Sequence, residues 1–238
     1  MSWLAGKYLA FDLETTSKFP AEARIVTATT ILIDPTTGSK DVANWLSDVD
    51  GHEIPPETTA IHGITTEHAR AHGQPAAEVA AQVAAAIEQA WDQGIPVIGH
   101  NVGYDFTVLD CELRRYFPND GGLKLRKAVL DTYVIDKHFS YRKGKRNLVA
   151  TAAFYRVPLS EEDAHDATAD ALASARILWM MARRYPKLAE RPLDVLYDQQ
   201  IAWHREQQES LGEYFRREGI DQTVAFGWPV REPAAVTS

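Results

Sequence analysis

The 238-residue sequence predicts an α/β domain: a mixed five-stranded sheet flanked by helices, with a C-terminal helical extension. Three observations lead there. Three strand-like segments, separated by turn residues, come first, as in an antiparallel meander. Two short apolar runs then alternate with helices of clear 3.6-residue period, as in a partly parallel sheet covered by helices. A hydrophobic content of 45% at this length is enough for one good core and an appendage.

Lys7 to Glu14 reads as the first strand, and Arg24 to Asp34, rich in Ile, Val and Thr, as the second. The turn Asp34-Pro35-Thr36-Thr37-Gly38 leads into a third, Lys40 to Leu46. From Asp50 to Gly73, with Pro55, Pro56 and Gly63, no period is sustained, which predicts a long loop with at most a short helix. Gln74 to Trp91 is a helix on its Val79, Val83 and Ile87 spacing. Pro96 to His100 is a short buried strand, followed after Asn101 by a helix with the stripe Phe106, Leu109, Leu113 and Tyr116. Ala128 to Leu130 supplies a fifth strand and leads into a helix over Thr132 to Phe139. Arg146 to Tyr155 and Asp166 to Tyr185 are further helices.

Pro186 and Pro192 punctuate the chain after the last of these helices, which places a boundary between a domain at 1–185 and an extension at 186–238. A helix over Asp194 to Arg217 carries Leu193, Leu196, Tyr197, Ile201, Leu211, Tyr214 and Phe215 at three- and four-residue steps. Such a stripe is covered either by the domain itself or by a partner. A homodimer or a partner protein through residues 193–217 is the expectation.

One cysteine, Cys111, excludes an intrachain disulfide and a cysteine-rich zinc site. No basic stretch followed by a long apolar run opens the chain, and no segment is apolar long enough to span a bilayer, so a cytoplasmic protein with no membrane partner is expected. The net charge of −8 argues against a general nucleic-acid coating protein. It leaves room for an enzyme that grips nucleic acid through metals and one basic patch.

Acids carry the chemistry. In Phe11-Asp12-Leu13-Glu14-Thr15-Thr16 two carboxylates stand one residue apart in a strand, so Asp12 and Glu14 share a face. Like charges side by side repel, and a hard divalent cation removes the objection. A solvated edge strand with two incidental acids is the alternative. Asp105 falls where a buried strand turns into a helix, the end of the sheet at which ligands gather. Asp170 falls early in a late helix, and His165 five residues before it. Five residues are about 140° of helix, so His165 belongs to the preceding loop with Asp166 as a cap. A mobile imidazole beside a metal site suits a general base.

These motifs resemble, in order, those of the DEDDh 3′–5′ exonucleases, the family of the proofreading subunit of bacterial DNA polymerase III, with an RNase H-like fold. Residues 11–16, His-Asn-x-x-x-Asp at 100–105 and His-x-x-x-x-Asp at 165–170 carry the likeness, with Ile61 to Thr65 and Asp131-Thr132 as further landmarks. The tyrosine branch would need Tyr where Asp166 stands. The resemblance implies two Mg²⁺ or Mn²⁺ ions held by Asp12, Glu14, Asp105 and Asp170, with Asp12 bridging and His165 as base. Thr15 and Thr16 would hold the terminal nucleotide, Asn101 the strand-to-helix turn, and His62 would approach substrate. Relatives carry Gly and an apolar wedge after the Thr pair. Here Ser17 and Lys18 stand there, followed by Phe19, so Leu13 and Phe19 are both candidates for the wedge.

From Lys137 to Arg146 the chain carries five Lys or Arg residues and no acid. Arg142, Lys143, Lys145 and Arg146 are therefore expected to meet backbone phosphates, with Phe139 or Tyr141 free to stack. The function implied is a metal-dependent exonuclease acting on a nucleic-acid 3′ end, on DNA in proofreading or repair. RNA trimming, or a non-catalytic binding or assembly module, are the alternatives.

Overall fold

A computed structural model describes residues 3–159 and 166–231. Three antiparallel strands open it: β1 (Tyr8–Thr15), β2 (Ile25–Asp34) and β3 (Ser39–Leu46). Helices α1 (Pro56–His62), α2 (Thr66–His72) and α3 (Ala76–Asp92) come next, then β4 (Val97–Gly99), α4 (Gly103–Tyr116), β5 (Val129–Asp131), α5 (Thr132–Phe139) and α6 (Leu148–Tyr155). The chain continues with α7 (Ala167–Arg184), α8 (Pro186–Ala189) and α9 (Leu193–Glu218). The sheet runs β3-β2-β1-β4-β5, with β4 parallel to both β1 and β5. This is the expected RNase H-like mixed sheet with C-terminal helices.

Strand alternation sorts β1 between two helical layers. Phe11 packs on Phe106 of α4 with ring centroids 5.6 Å apart, and Phe106 stacks on Trp91 of α3 at 5.8 Å. Asp12 and Glu14 therefore face the other way, toward α7, which lies across β1, β2 and β4. Ala167, Ala171 and Ala175 are buried along α7, and their small side chains let the helix sit close to the sheet.

The loop expected over residues 50–73 contains two helices instead. Pro56 at its first position and Gly63 at φ 78° bound α1, and Thr65 caps α2 by accepting from His68 N–H at 3.2 Å. Each is seven residues long, too short for a stripe to repeat. Ala69 of α2 joins a small separate core with Val26, Val49 and Ile54, against which Ile64 between the two helices packs.

Edge strand β5 is covered by α9. Gln200, fully buried, donates to Val129 O at 2.9 Å and accepts from Asp131 N–H at 2.8 Å, replacing a neighbouring strand. Trp203 stacks on His138 at 3.9 Å. Leu188, Leu196, Tyr197, Trp203 and Trp228 join the same buried cluster as the sheet. The first part of the α9 stripe is thus covered within the chain, while Tyr214 stays 44% exposed. Among the described residues no helix is long and apolar enough to cross a membrane.

Candidate metal centre

The acids meet where β1 outruns its parallel neighbour. Pairing with β4 stops early, so the Leu13 N–H on that side has no strand to donate to. Asp105, in the first turn of α4, accepts it at 3.2 Å and thereby stands beside the Asp12–Glu14 pair. Asp170 comes from the first turn of α7, whose start is fixed by Asp166 accepting from Thr168 N–H at 2.9 Å and Ala169 N–H at 3.0 Å. The expected cap is in place. One oxygen from each of Asp12, Glu14 and Asp170 lies within 4.8 Å of the others. Asp105 stands outside that trio.

Burial, then the charges of Asp105, Asp170 and Glu14, hold the Asp12 carboxyl well above the usual range. Burial first, then Asp170 and Asp105, raise Glu14 to about 8. Burial raises Asp105 to about 8 against the hydrogen bonds it accepts from its own backbone and from Leu13. Among the described residues no Lys or Arg forms an ion pair with Asp12, Glu14 or Asp105. Half-buried oxygen donors that repel one another fit a hard divalent cation.

Asn101 takes the left-handed conformation, φ 59°, which Asn tolerates better than most residues. Its N–H donates to Asp131 Oδ1 at 2.8 Å, and the same oxygen accepts from Tyr133 N–H at 2.9 Å at the start of α5. His100 is a packing residue: its ring bridges Thr132 Oγ1 and Arg146 O, each at 2.8 Å, and burial pushes it down to about 4. Thr15 hydroxyl donates to Ser17 O at 3.1 Å, and Tyr104 hydroxyl bonds the same carbonyl, tying α4 to the loop after the acids. Thr16 Oγ1 accepts from Arg24 N–H at 2.9 Å.

Other expectations separate. Leu13 is buried in the core, whereas Phe19 is 56% exposed, so only Phe19 is free to meet a base. His62 ends α1 with Nδ1 accepting from Ile64 N–H at 3.2 Å. Arg142 and Arg146 depart from the phosphate-binding expectation. Both pair with the fully buried Asp136, and their side chains are only 10% and 12% exposed. Lys143 and Lys145 are exposed, as is Tyr141, while Phe139 packs on Trp203 and Tyr185. His165 lies outside the described residues. Sequence reasoning missed Gln200, Trp228 and Arg231, which belong to no motif.

The fold and the clustered acids define the class, an RNase H-like nuclease. The chain matches the RNase_T exonuclease family over residues 9–178. It belongs to that family, whose DEDDh-type members are 3′–5′ exonucleases. Among solved structures it is similar to E. coli exonuclease I in complex with a dT13 oligonucleotide, at 23% identity and TM-score 0.59 over 77% of this chain and 42% of that one. The zinc-bound form of the E. coli enzyme with single-stranded DNA matches at 22% and 0.60, over 78% and 42%. A moderately thermophilic exonuclease I from Methylocaldum szegediense matches at 20% and 0.59, over 77% and 42%. At these identities the likeness is one of fold, and the chain spans less than half the length of those enzymes. None of the curated proteins matches it.

Proposed function

We propose that the chain hydrolyses single-stranded DNA from its 3′ end, releasing mononucleotides in repair or proofreading. The observation that carries this is the convergence of Asp12, Glu14 and Asp170 oxygens within 4.8 Å on the sheet's central strand, with Asp105 beside them. These four acids would hold two divalent ions, Mg²⁺ or Mn²⁺. Bound there, the ions supply an activated water and charge stabilisation for the scissile phosphate. His165 takes the proton from the attacking water. The Thr15–Ser17 loop, braced by Tyr104, holds the terminal nucleotide with Asn101, Phe19 wedges against its base, and Lys143 and Lys145 meet backbone phosphates. Residues 1–185 carry the chemistry, and 186–238 form the extension, whose described part, to residue 231, braces it. Leu211, Tyr214 and Phe215 remain available to a second copy or a partner protein.

DNA as substrate draws support from the oligonucleotide-bound exonuclease I structures of similar fold. The test is a 5′-labelled single-stranded DNA, its duplex and the matching RNA, each incubated with Mg²⁺, Mn²⁺ or EDTA. A metal-dependent ladder shortening from the 3′ end of the single-stranded DNA is expected. Immediate release of the 5′ label refutes the polarity, and a ladder from RNA alone refutes the sugar preference.

A further inference from the structure

After Gly219 caps α9, residues 220–231 run back across the domain without regular structure. Trp228 Nε1 donates to Asp131 Oδ2 at 3.3 Å, and its ring lies 5.3 Å from that of Tyr197. The strap lies directly on the first turn of α4: a Cβ at Gly103 would meet Trp228 Cδ1 at 3.3 Å and Pro229 O at 3.5 Å. Arg231 N–H then donates to Thr107 Oγ1 at 2.9 Å. This anchored backbone sets the Arg231 guanidinium 5.8 Å from the centre of the Tyr104 ring. Tyr104 is the residue that touches the loop following Asp12 and Glu14.

Arg231 does not stand alone there. Lys137 of α5 lies over the Tyr133 ring at 5.7 Å, and His204 of α9 is within electrostatic reach of both Lys137 and Arg231. All three are partly withdrawn from water. Among the described residues neither Arg231 nor Lys137 has an ion-pair partner. Burial lowers all three: Arg146 adds to the effect on Lys137, Arg231 and Lys137 add to that on His204, which falls to about 4, and Tyr104, Asp105 and Asp131 oppose it at Arg231. A partly desolvated Arg and Lys without an ion-pair partner are costly, an anion seated beside them removes the cost, and His204, neutral at that value, can add a hydrogen bond to it. Asp105 and Asp131 are the acids that face Arg231. Asp131 already accepts from Asn101, Tyr133 and Trp228, and a divalent ion held at the acid cluster would balance Asp105. Among the described residues Arg231 is then without an acid of its own.

We infer that the C-terminal strap completes the substrate site: Arg231, with Lys137 and His204 beside it, binds a backbone phosphate of the nucleic-acid strand next to the acid cluster. This rests on the proposed nuclease reading. The test uses the full chain and a fluorescein-labelled single-stranded oligo-dT, with anisotropy in EDTA over a NaCl series and KM and kcat in Mn²⁺. Arg231→Ala weakens binding roughly tenfold and flattens the log–log salt slope by about 0.7, the value of one phosphate on a single strand. The kinetic loss falls on KM rather than kcat. Arg231→Lys keeps the slope, and Lys137→Ala lowers it in the same direction. An unchanged slope in Arg231→Ala overturns the inference, and so does an Arg231→Lys slope as flat as that of Ala, which makes the arginine a brace. A wild-type chain that neither binds nor cuts refutes the nuclease reading instead.

Discussion

Asp12→Asn separates function from stability at one position. The asparagine keeps the shape of the side chain and deletes the charge at the centre of the acid cluster. Two full charges no more than 4.8 Å apart repel by at least about 3.5 kcal/mol at an effective dielectric of about 20. Shared protons reduce that, because burial and neighbouring charges hold Asp12 well above its usual range and Glu14 at about 8. The relief near pH 8 in EDTA is therefore about 1–2 kcal/mol, or about 2–8 °C in Tm for a chain of this size. Mn²⁺ reverses the order, since the wild type gains a bound ion and the variant has lost a ligand. Nuclease activity falls by at least about a thousandfold, because a ligand has been removed from the centre that stabilises the transition state. The assay is differential scanning fluorimetry in EDTA and in Mn²⁺, beside hydrolysis of a labelled oligonucleotide. A lower Tm for Asp12→Asn in EDTA shows the acids are not repelling one another, and near-normal turnover by the folded variant removes Asp12 from the chemistry.

The same contacts set the outcome of other perturbations. Gln200→Leu leaves the buried Val129 carbonyl and Asp131 N–H without partners, costing roughly 2–4 kcal/mol. An unchanged melting curve by circular dichroism means α9 does not hold the edge of β5. Replacing Lys143 and Lys145 together by Gln lowers the salt slope of oligonucleotide binding by about 1.4. Arg142→Gln shows instead as lost stability, since it deprives the buried Asp136 of one of its two arginines. Without metal, Glu14 and Asp105 keep protons up to about pH 8, whereas in the unfolded chain they lose them near pH 4. The folded state binds more protons across that window, so its stability falls as pH rises from about 4.5 to 8. Saturating Mn²⁺ should flatten that fall in a pH series of melting curves, and an equal slope with and without metal places the ion elsewhere. Light scattering of the wild type and of Leu211→Ser/Tyr214→Ser tests association through α9: a dimer reduced to a monomer supports it, and the same mass in both rejects it.

What the sequence made legible was local. Period two in β1 put Asp12 and Glu14 on one face, and the structure aims that face at α7 and Asp170. Period 3.6 located the long helices to within two residues, while α1 and α2 were too short to show it. The pairing inside the basic run was hidden for a related reason. No acid lies between Lys137 and Arg146, but Asp136 stands one position before the run and holds two of its arginines. Gln200 bonds residues 69 and 71 positions away, and Trp228 reaches one 97 positions away. Contacts of that span leave no spacing in the sequence to read.

Those long contacts form a relay into the acid cluster. Gln200 of α9 holds the Asp131 backbone at 2.8 Å, and Asp131 holds the Asn101 N–H at 2.8 Å. Asn101 sets the entry to α4, whose first turn delivers Asp105 to the Leu13 N–H at 3.2 Å. Strands β4 and β5 are three residues each and contribute few ladder bonds of their own to position that turn. A buried carboxylate accepting several N–H groups, and an amide standing in for a strand, supply the missing rigidity. Moving α9 off β5 would free Asp131 first and Asp105 last, so the extension bears on the acid cluster through position rather than through contact with the acids. The strap adds the contact that α9 lacks, since Trp228 grips the same Asp131 and carries Arg231 to the ring of Tyr104.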